Sequence, residues 1–339
     1  MIALPKEGCR ILIILMGSLG DVVRGLSLPS QIKKNLQDSK ITWLVEPSCH
    51  KIVSLNKFID RVVIFQRDRQ LFALPELYRQ LRSERFDVVL DMQRHFKSGL
   101  FSFLSGAEYR LGFHRNKTKE FNHFFNTHFI SDLPYDVPKI NHYYNFLREL
   151  GIEPEQNPDF GLSYIKNLAE QKEMLSKIES PYIGIVLGSS WNSKDWPRGR
   201  YISLIEKLIK QGRHRMLLLG DKSQSVLAEE ITTHFEHSNL INFAGKTNLQ
   251  DLIALIDGSL LCVGPDSGPG HIAGALGKPY ISLFGPTDPR LTAPLGSEKL
   301  VIRAQLGCMP CYRRKCPGLN KLCMRLITVE DVLEKINTT

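Results

Sequence analysis

Three short stretches carry residue types able to hold and move charge. The first is Asp266-Ser-Gly-Pro-Gly-His271, set between apolar runs at 261–263 and 280–284. At the junction of a parallel strand and the helix after it, the first backbone N–H groups of the helix lack intrahelical partners and point outward, which is where an anion sits. Gly268 and Gly270 admit a diphosphate to the main chain, Ser267 adds a hydroxyl donor, and Asp266 and His271 flank the turn. The alternative is an ordinary capped helix, with Asp266 or Ser267 as N-cap and His271 merely polar. The second stretch, Gly188-Ser-Ser-Trp-Asn-Ser-Lys-Asp-Trp-Pro197, offers Ser189 and Ser190 as donors and Lys194 as a point charge for the same diphosphate, or leaves Lys194 a solvated loop lysine. The third, Met16-Gly-Ser-Leu-Gly-Asp21, has glycines for close approach and one carboxylate. Asp21 is either a catalytic base or a first-turn acid favoured by the helix dipole.

These loops need strands to hang from. A buried parallel strand is predicted at 10–15, followed by 41–45, 61–65 and 86–90, with helical patterns between them such as 74–85. A second series runs through 182–187, 215–219, 260–263 and 280–284. Strands alternating with helices predict an α/β fold built on doubly wound parallel sheets, with ligand loops at the carboxyl ends of the strands. Gly and Pro punctuation over 150–158 marks a boundary. The predicted domains are 1–157 and 158–325, with a final helix in 326–339 whose Thr328 and Asp331 have capping-box spacing. No residue-level repeat accompanies this symmetry of architecture.

Composition sets the outer bounds. With 339 residues, 42% of them hydrophobic and 23% charged, the chain is globular and long enough for two domains of roughly 100–200 residues each. No apolar run approaches the ~20 residues that span a bilayer, and the first ten residues lack a signal-peptide pattern, so a cytoplasmic protein is expected. A net charge of +9 favours an acidic partner: nucleic acid, an anionic membrane or a phosphorylated substrate. Seven scattered cysteines make reduced thiols the default. Cys308, Cys311, Cys316 and Cys323, enclosing Arg313, Arg314 and Lys315, are either a zinc knuckle or free thiols and local disulfides. The Gly-x-x-Gly after the first strand lacks the third glycine of dinucleotide binders, although Glu46 stands where their ribose acid would.

In order and spacing, Gly17-x-x-Gly-Asp21, Ser189-Ser with Lys194-Asp-Trp-Pro197, Gly245-Lys-Thr-Asn-Leu249, Asp266-Ser-Gly-Pro-Gly-His271 and Phe284-Gly-Pro-Thr-Asp288 resemble glycosyltransferase family 9, the ADP-heptose:lipopolysaccharide heptosyltransferases. Asp91-Met-Gln93, Tyr109-Arg-Leu-Gly-Phe113 and the cysteine-rich segment extend the resemblance over nearly the whole chain. It implies a GT-B fold, two Rossmann-like domains facing across a cleft, the C-terminal one for the nucleotide-sugar and the N-terminal one for the acceptor. It also implies inverting transfer with no metal and no other cofactor. Carried over by position, Asp21 would be the general base and Lys194 would neutralise the donor diphosphate. Ser189, Ser190, Ser267 and Gly268 would bond phosphate oxygens, Thr247 would lie near the adenine, and Asp266 and His271 would shape the donor pocket.

On the acceptor side the resemblance places Ser18 and Gly20. The basic residues Arg67, Arg69, Arg110 and Arg115, with Lys117 and Lys119, suit a phosphorylated Kdo–lipid A inner core and an anionic membrane surface, or form a solvated basic face. Phe121, Phe124 and Phe125 are expected in the core. The implied reaction moves a heptose from ADP-L-glycero-D-manno-heptose to Kdo-lipid A or heptosyl-Kdo-lipid A, at the cytoplasmic face of the inner membrane. A family 9 transferase with another nucleotide-sugar, and an NAD-dependent oxidoreductase using Glu46, are the alternatives. A nucleic-acid binder would show steep salt dependence but leaves the Asp21, Lys194 and Asp266 loops unexplained; no nucleic acid is expected as a partner.

Overall fold

The apolar run Arg10–Ile14 forms strand β1, buried from Ile11 onward, as expected of a central parallel strand covered on both faces. The computed structural model describes residues 5, 7–66, 70–178 and 181–339, which leaves Arg67 and Arg69 outside the described residues. Contacts divide the chain into two units, Met1–Leu162 and Ser163–Thr339. In the first, β1 is joined by β2 (Lys40–Val45), β3 (Arg61–Ile64), β4 (Val88–Asp91), β5 (Tyr109–Gly112) and β6 (His128–Phe129). All pairings are parallel, in the order β3-β2-β1-β4-β5-β6.

The second unit repeats this plan with β7 (Tyr182–Val186), β8 (Arg215–Leu219), β9 (Leu240–Asn242), β10 (Cys262–Pro265), β11 (Tyr280–Phe284) and β12 (Val301–Arg303). Its order is β12-β11-β10-β7-β8-β9, again all parallel. Counted from each unit's own first strand, both sheets have the order 3-2-1-4-5-6 of a doubly wound nucleotide-binding fold. Strand order reverses between β1 and β4 and between β7 and β10. The chain leaves those neighbouring strands toward opposite sides, opening a crevice at their carboxyl ends. The three charged loops emerge there. The final helix, Val329–Thr338, belongs to the second unit: Val329, Val332 and Ile336 join its core, and Thr328 and Asp331 form the expected capping box.

Close approach of β7 and β10 depends on a glycine. A Cβ on Gly264 would stand 2.6 Å from the Val186 Cβ and 2.9 Å from the Val186 carbonyl oxygen. Backbone on the neighbouring strand cannot swing away, so Gly264→Ala is expected to cost about 1–3 kcal/mol of stability, read as a lower urea midpoint.

The expectation that Phe121, Phe124 and Phe125 are core residues is overturned. Phe121 and Phe124 are 69% and 75% exposed, and Phe125 is half-buried. The interior positions of that segment are taken by Asn122 and Asn126, whose amides donate to the buried Asp91 carboxylate at 2.6 and 3.2 Å. Polar side chains go inward here because a buried carboxylate needs donors.

Candidate active site

In the first unit the loop after β1 delivers Asp21 into the first turn of helix Leu19–Gly25. Gln93, just past β4, braces this loop by accepting from Met16 N at 2.8 Å and donating to Gly17 O at 3.1 Å. Ser18 is the N-cap residue but does not cap with its side chain; its hydroxyl donates to Asp21 Oδ2 at 3.1 Å. Gly20 is a buried helical residue. Arg24, one helical turn on, reaches Asp21 Oδ1 at 2.6 Å, Lys139 stands 3.8 Å away, and the Tyr143 phenol donates to Oδ1 at 3.4 Å. Burial alone would raise the Asp21 pKa. The charges of Arg24 and Lys139 and the bonds from Arg24 and Ser18 outweigh it and hold the carboxyl well below the usual range. Burial pushes the Tyr143 phenol upward, so it remains a donor. Asp21 is therefore an ionised carboxylate with a quarter of its side chain accessible.

In the second unit the loops after β7, β10 and β11 converge on one buried ion pair. Lys194 Nζ sits 2.7 Å from Asp266 Oδ2 and donates to the Asp266 carbonyl at 3.2 Å, with side chains 13% and 6% exposed. Thr287, after β11, donates to the same Oδ2 at 2.7 Å. Burial would raise the Asp266 pKa, but Lys194, His271 and the bonds from Lys194 and Thr287 lower it. The capped-helix alternative holds in part: Ser267 is the N-cap residue, but its side chain makes no capping bond. Asp266 is spent on Lys194 and Thr287, the Ser267 hydroxyl donates to Pro265 O at 3.0 Å, and no side chain caps helix Gly268–Ala275. Pro269 has no N–H and Gly270 N donates to Ser267 O at 3.2 Å, so the Gly268 amide at the start of the helix is the one that faces an outside acceptor, beside a lysine held in place.

Ser189 has a different role from the one expected. Its hydroxyl donates to Trp191 O at 3.0 Å and accepts from Trp191 N at 3.1 Å, while its amide donates to Asp195 at 3.0 Å, so it braces the loop. Ser190 is exposed. Thr247 is half-buried in the turn between β9 and helix Leu249–Gly258, and His271 is buried one turn into its helix.

The sequence did not single out Trp191 and Arg314 as a pair. Lys194 and Arg314 both lie over the Trp191 ring, 4.6 and 5.5 Å from its centroid. The cysteine-rich segment is pinned to this loop by Ser193, which donates through N to Arg314 O at 3.2 Å and through Oγ to Arg313 O at 2.6 Å. Its cysteines are free thiols, and among the described residues no group of three or more His, Cys, Asp or Glu side chains is arranged to hold a metal.

The other sequence-selected groups fall elsewhere. Arg110 is a structural residue, donating to Phe125 O at 2.8 Å and Ala107 O at 2.6 Å. Arg115 is exposed and lies over the Phe129 ring. Glu46 pairs with Lys97 at 2.8 Å. Arg24 had a local signal, a cation three residues after Asp21 on a helix. Tyr143 and Lys139, more than 100 positions away, had none.

The family description "Glycosyltransferase family 9 (heptosyltransferase)" matches residues 75–322. Lipooligosaccharide heptosyltransferase 2 of Haemophilus influenzae is 28% identical over 348 residues, covering 97% of this chain and 98% of that protein. Lipopolysaccharide heptosyltransferase 1 of Pseudomonas aeruginosa is 24% identical over 326 residues, covering 91% and 87%. Among solved structures, E. coli heptosyltransferase WaaC with ADP superposes with a TM-score of 0.78 at 22% identity, covering 97% of this chain and 99% of that one.

Proposed function

The chain belongs to glycosyltransferase family 9 and is a glycosyltransferase of GT-B fold; on that premise we propose that it moves a heptose from an ADP-heptose to the lipopolysaccharide inner core. The observation that carries the reading is the Lys194–Asp266–Thr287 junction at a strand-order reversal, beside a helix N-terminus that no side chain caps. That arrangement suits a diphosphate whose charge grows as it leaves. The names of the relatives and the ADP in the WaaC structure support adenosine and heptose as the nucleoside and sugar.

In this reading Asp21 accepts the proton of the acceptor hydroxyl as its oxygen bonds to the anomeric carbon. The bond from that carbon to the ADP oxygen breaks in the same displacement, which inverts the centre. Lys194, the Ser190 hydroxyl and the Gly268 amide at the start of helix Gly268–Ala275 take up the charge on the departing diphosphate. Thr247 lies on the adenine side, and Ser267, Asp266 and His271 shape the pocket. The first unit holds the acceptor, with Ser18 and Arg115 on its acceptor side. Among the described residues no helix is long and apolar enough to cross a membrane, and a lipid-anchored acceptor places the reaction at the cytoplasmic face of the inner membrane.

A thermal-shift panel of ADP, UDP, GDP, CMP and NAD without metal tests the donor assignment. ADP alone is expected to raise the melting temperature, since a ligand at about 100 times its Kd stabilises the folded state by about 2.7 kcal/mol. Stabilisation by another nucleotide in place of ADP would overturn the ADP-heptose reading.

A further inference from the structure

The first unit carries an aromatic surface that catalysis does not use. Helix Phe96–Ser105 exposes Phe96 and Phe103 two turns apart on one face, 47% and 54% accessible. Phe125 packs against both, with ring centroids 5.1 and 6.3 Å away. Beside them the short turn Asn122–Phe125 holds up the stacked pair Phe121 and Phe124, whose centroids are 6.0 Å apart.

This exposure is built in. Asn122, between the two exposed rings, is fully buried and donates to Asp91, His95 O and Ser98. Asn126 donates to Asp91 and accepts from Ser102. Gly99 makes room, since a Cβ there would stand 2.9 Å from the Asn122 amide nitrogen and 3.0 Å from its carbonyl oxygen. A buried polar network thus fixes the turn from below and leaves Phe121 and Phe124 to face outward.

The charge around these rings has one dominant sign. Residues 94–125 contain six Lys or Arg against two acids, Glu108 and Glu120; of the six, Lys97 pairs with Glu46 and Lys117 with Asp132. Glu120 is engaged by His95 and by the Phe96 amide. Arg110 lies over Phe103, and Arg115 and Lys119 are exposed beside the turn. Aromatic rings that enter the headgroup boundary, rimmed by cations that meet lipid phosphates, are the two components of interfacial binding.

We propose that Phe121 and Phe124, supported by Phe96 and Phe103 and flanked by Arg115 and Lys119, dock this protein on an anionic phospholipid bilayer. The proposal deepens the functional reading by naming the surface through which the enzyme meets a lipid-anchored acceptor. Vesicle binding is measured without donor or acceptor, so either idea can fail alone.

The test is co-sedimentation of the full chain with vesicles of phosphatidylethanolamine and phosphatidylglycerol, against vesicles of phosphatidylcholine. The wild type is expected to prefer the anionic vesicles and to be released by salt. Phe121→Ser/Phe124→Ser is expected to lose at least about tenfold in partitioning, with its ADP-induced thermal shift unchanged. As a second readout, Phe124→Trp is expected to shift its emission to the blue on anionic vesicles and to be quenched by brominated acyl chains. Wild-type indifference to anionic vesicles, undiminished binding by the double variant, or a Phe124→Trp signal untouched by brominated lipid would overturn the proposal. So would conversion of a dimer to a monomer by the double variant, which would make the patch a contact between two copies.

Discussion

Asp21→Asn is expected to lower kcat by about 10²–10⁴-fold, the usual worth of a placed general base, while leaving the ADP-induced thermal shift intact. Asparagine keeps the shape and, through its one amide oxygen, can still accept from either Ser18 or Tyr143, which donate to different oxygens of Asp21, but it cannot take the acceptor proton. The pH dependence follows from the direction of the Asp21 shift. Because Arg24 and Lys139 hold its pKa down, the carboxylate stays ionised as pH falls past the ordinary aspartate value of about 3.9. Activity attributable to this group is lost only below that point, as pH falls through the depressed folded value. A pH–rate profile with an acid limb near neutrality that vanishes in Asp21→Asn would contradict this account of the residue, as would normal turnover by the variant.

Lys194→Met is expected to have two separable effects. Removing a fixed cation from the departing diphosphate should cost about 10²–10³-fold in turnover with the nucleotide-sugar, the scale seen when one group stabilising a developing anion is deleted. It also strands Asp266, which is 6% exposed, and breaking a buried pair by removing one partner costs about 3–5 kcal/mol. Thr287 and His271 still face the carboxylate, which favours the lower end of that range. Adding Asp266→Asn to Lys194→Met removes the stranded charge, so stability should return while activity does not. Recovery of both would reduce Lys194 to a structural residue.

The same pair gives a signed stability prediction. Asp266 has a lowered folded pKa, so its contribution is complete above the unfolded value of about 3.9 and fades as pH falls through the folded value. Chemical denaturation of the wild type at descending pH should show this acid-side loss, and the double variant should lack it.

Much of this arrangement was legible in the sequence because its signals are local. Buried parallel strands announce themselves as short apolar runs, and β8 and β11 fall where the pattern placed them. β5, β6, β9 and β12 did not stand out. They are two to four residues long, and β5 and β12 have no residue pattern of full burial. Glycine-rich turns after strands marked the anion loops, since few residues tolerate such close backbone approach. Partners far along the chain were invisible. Tyr143 meets Asp21 across 122 positions, and Ser193 meets the Arg313 carbonyl across 120. Hydroxyl roles were misjudged for a related reason: composition shows that Ser189 is present, but only the folded loop shows that its hydroxyl is already bonded to Trp191. Phe121 and Phe124 were assigned inward on hydrophobicity, whereas the demand of buried Asp91 for donors brought Asn122 and Asn126 inside.

Transfer itself is tested most directly by incubating the protein with ADP-heptose and, separately, Kdo-lipid A and heptosyl-Kdo-lipid A, following ADP release and the acceptor mass. The expected result is one of these acceptors gaining a single heptose with an equal amount of ADP released, and neither product forming with Asp21→Asn. Transfer from a UDP- or GDP-sugar in preference to ADP-heptose, or unchanged transfer by Asp21→Asn, would contradict it.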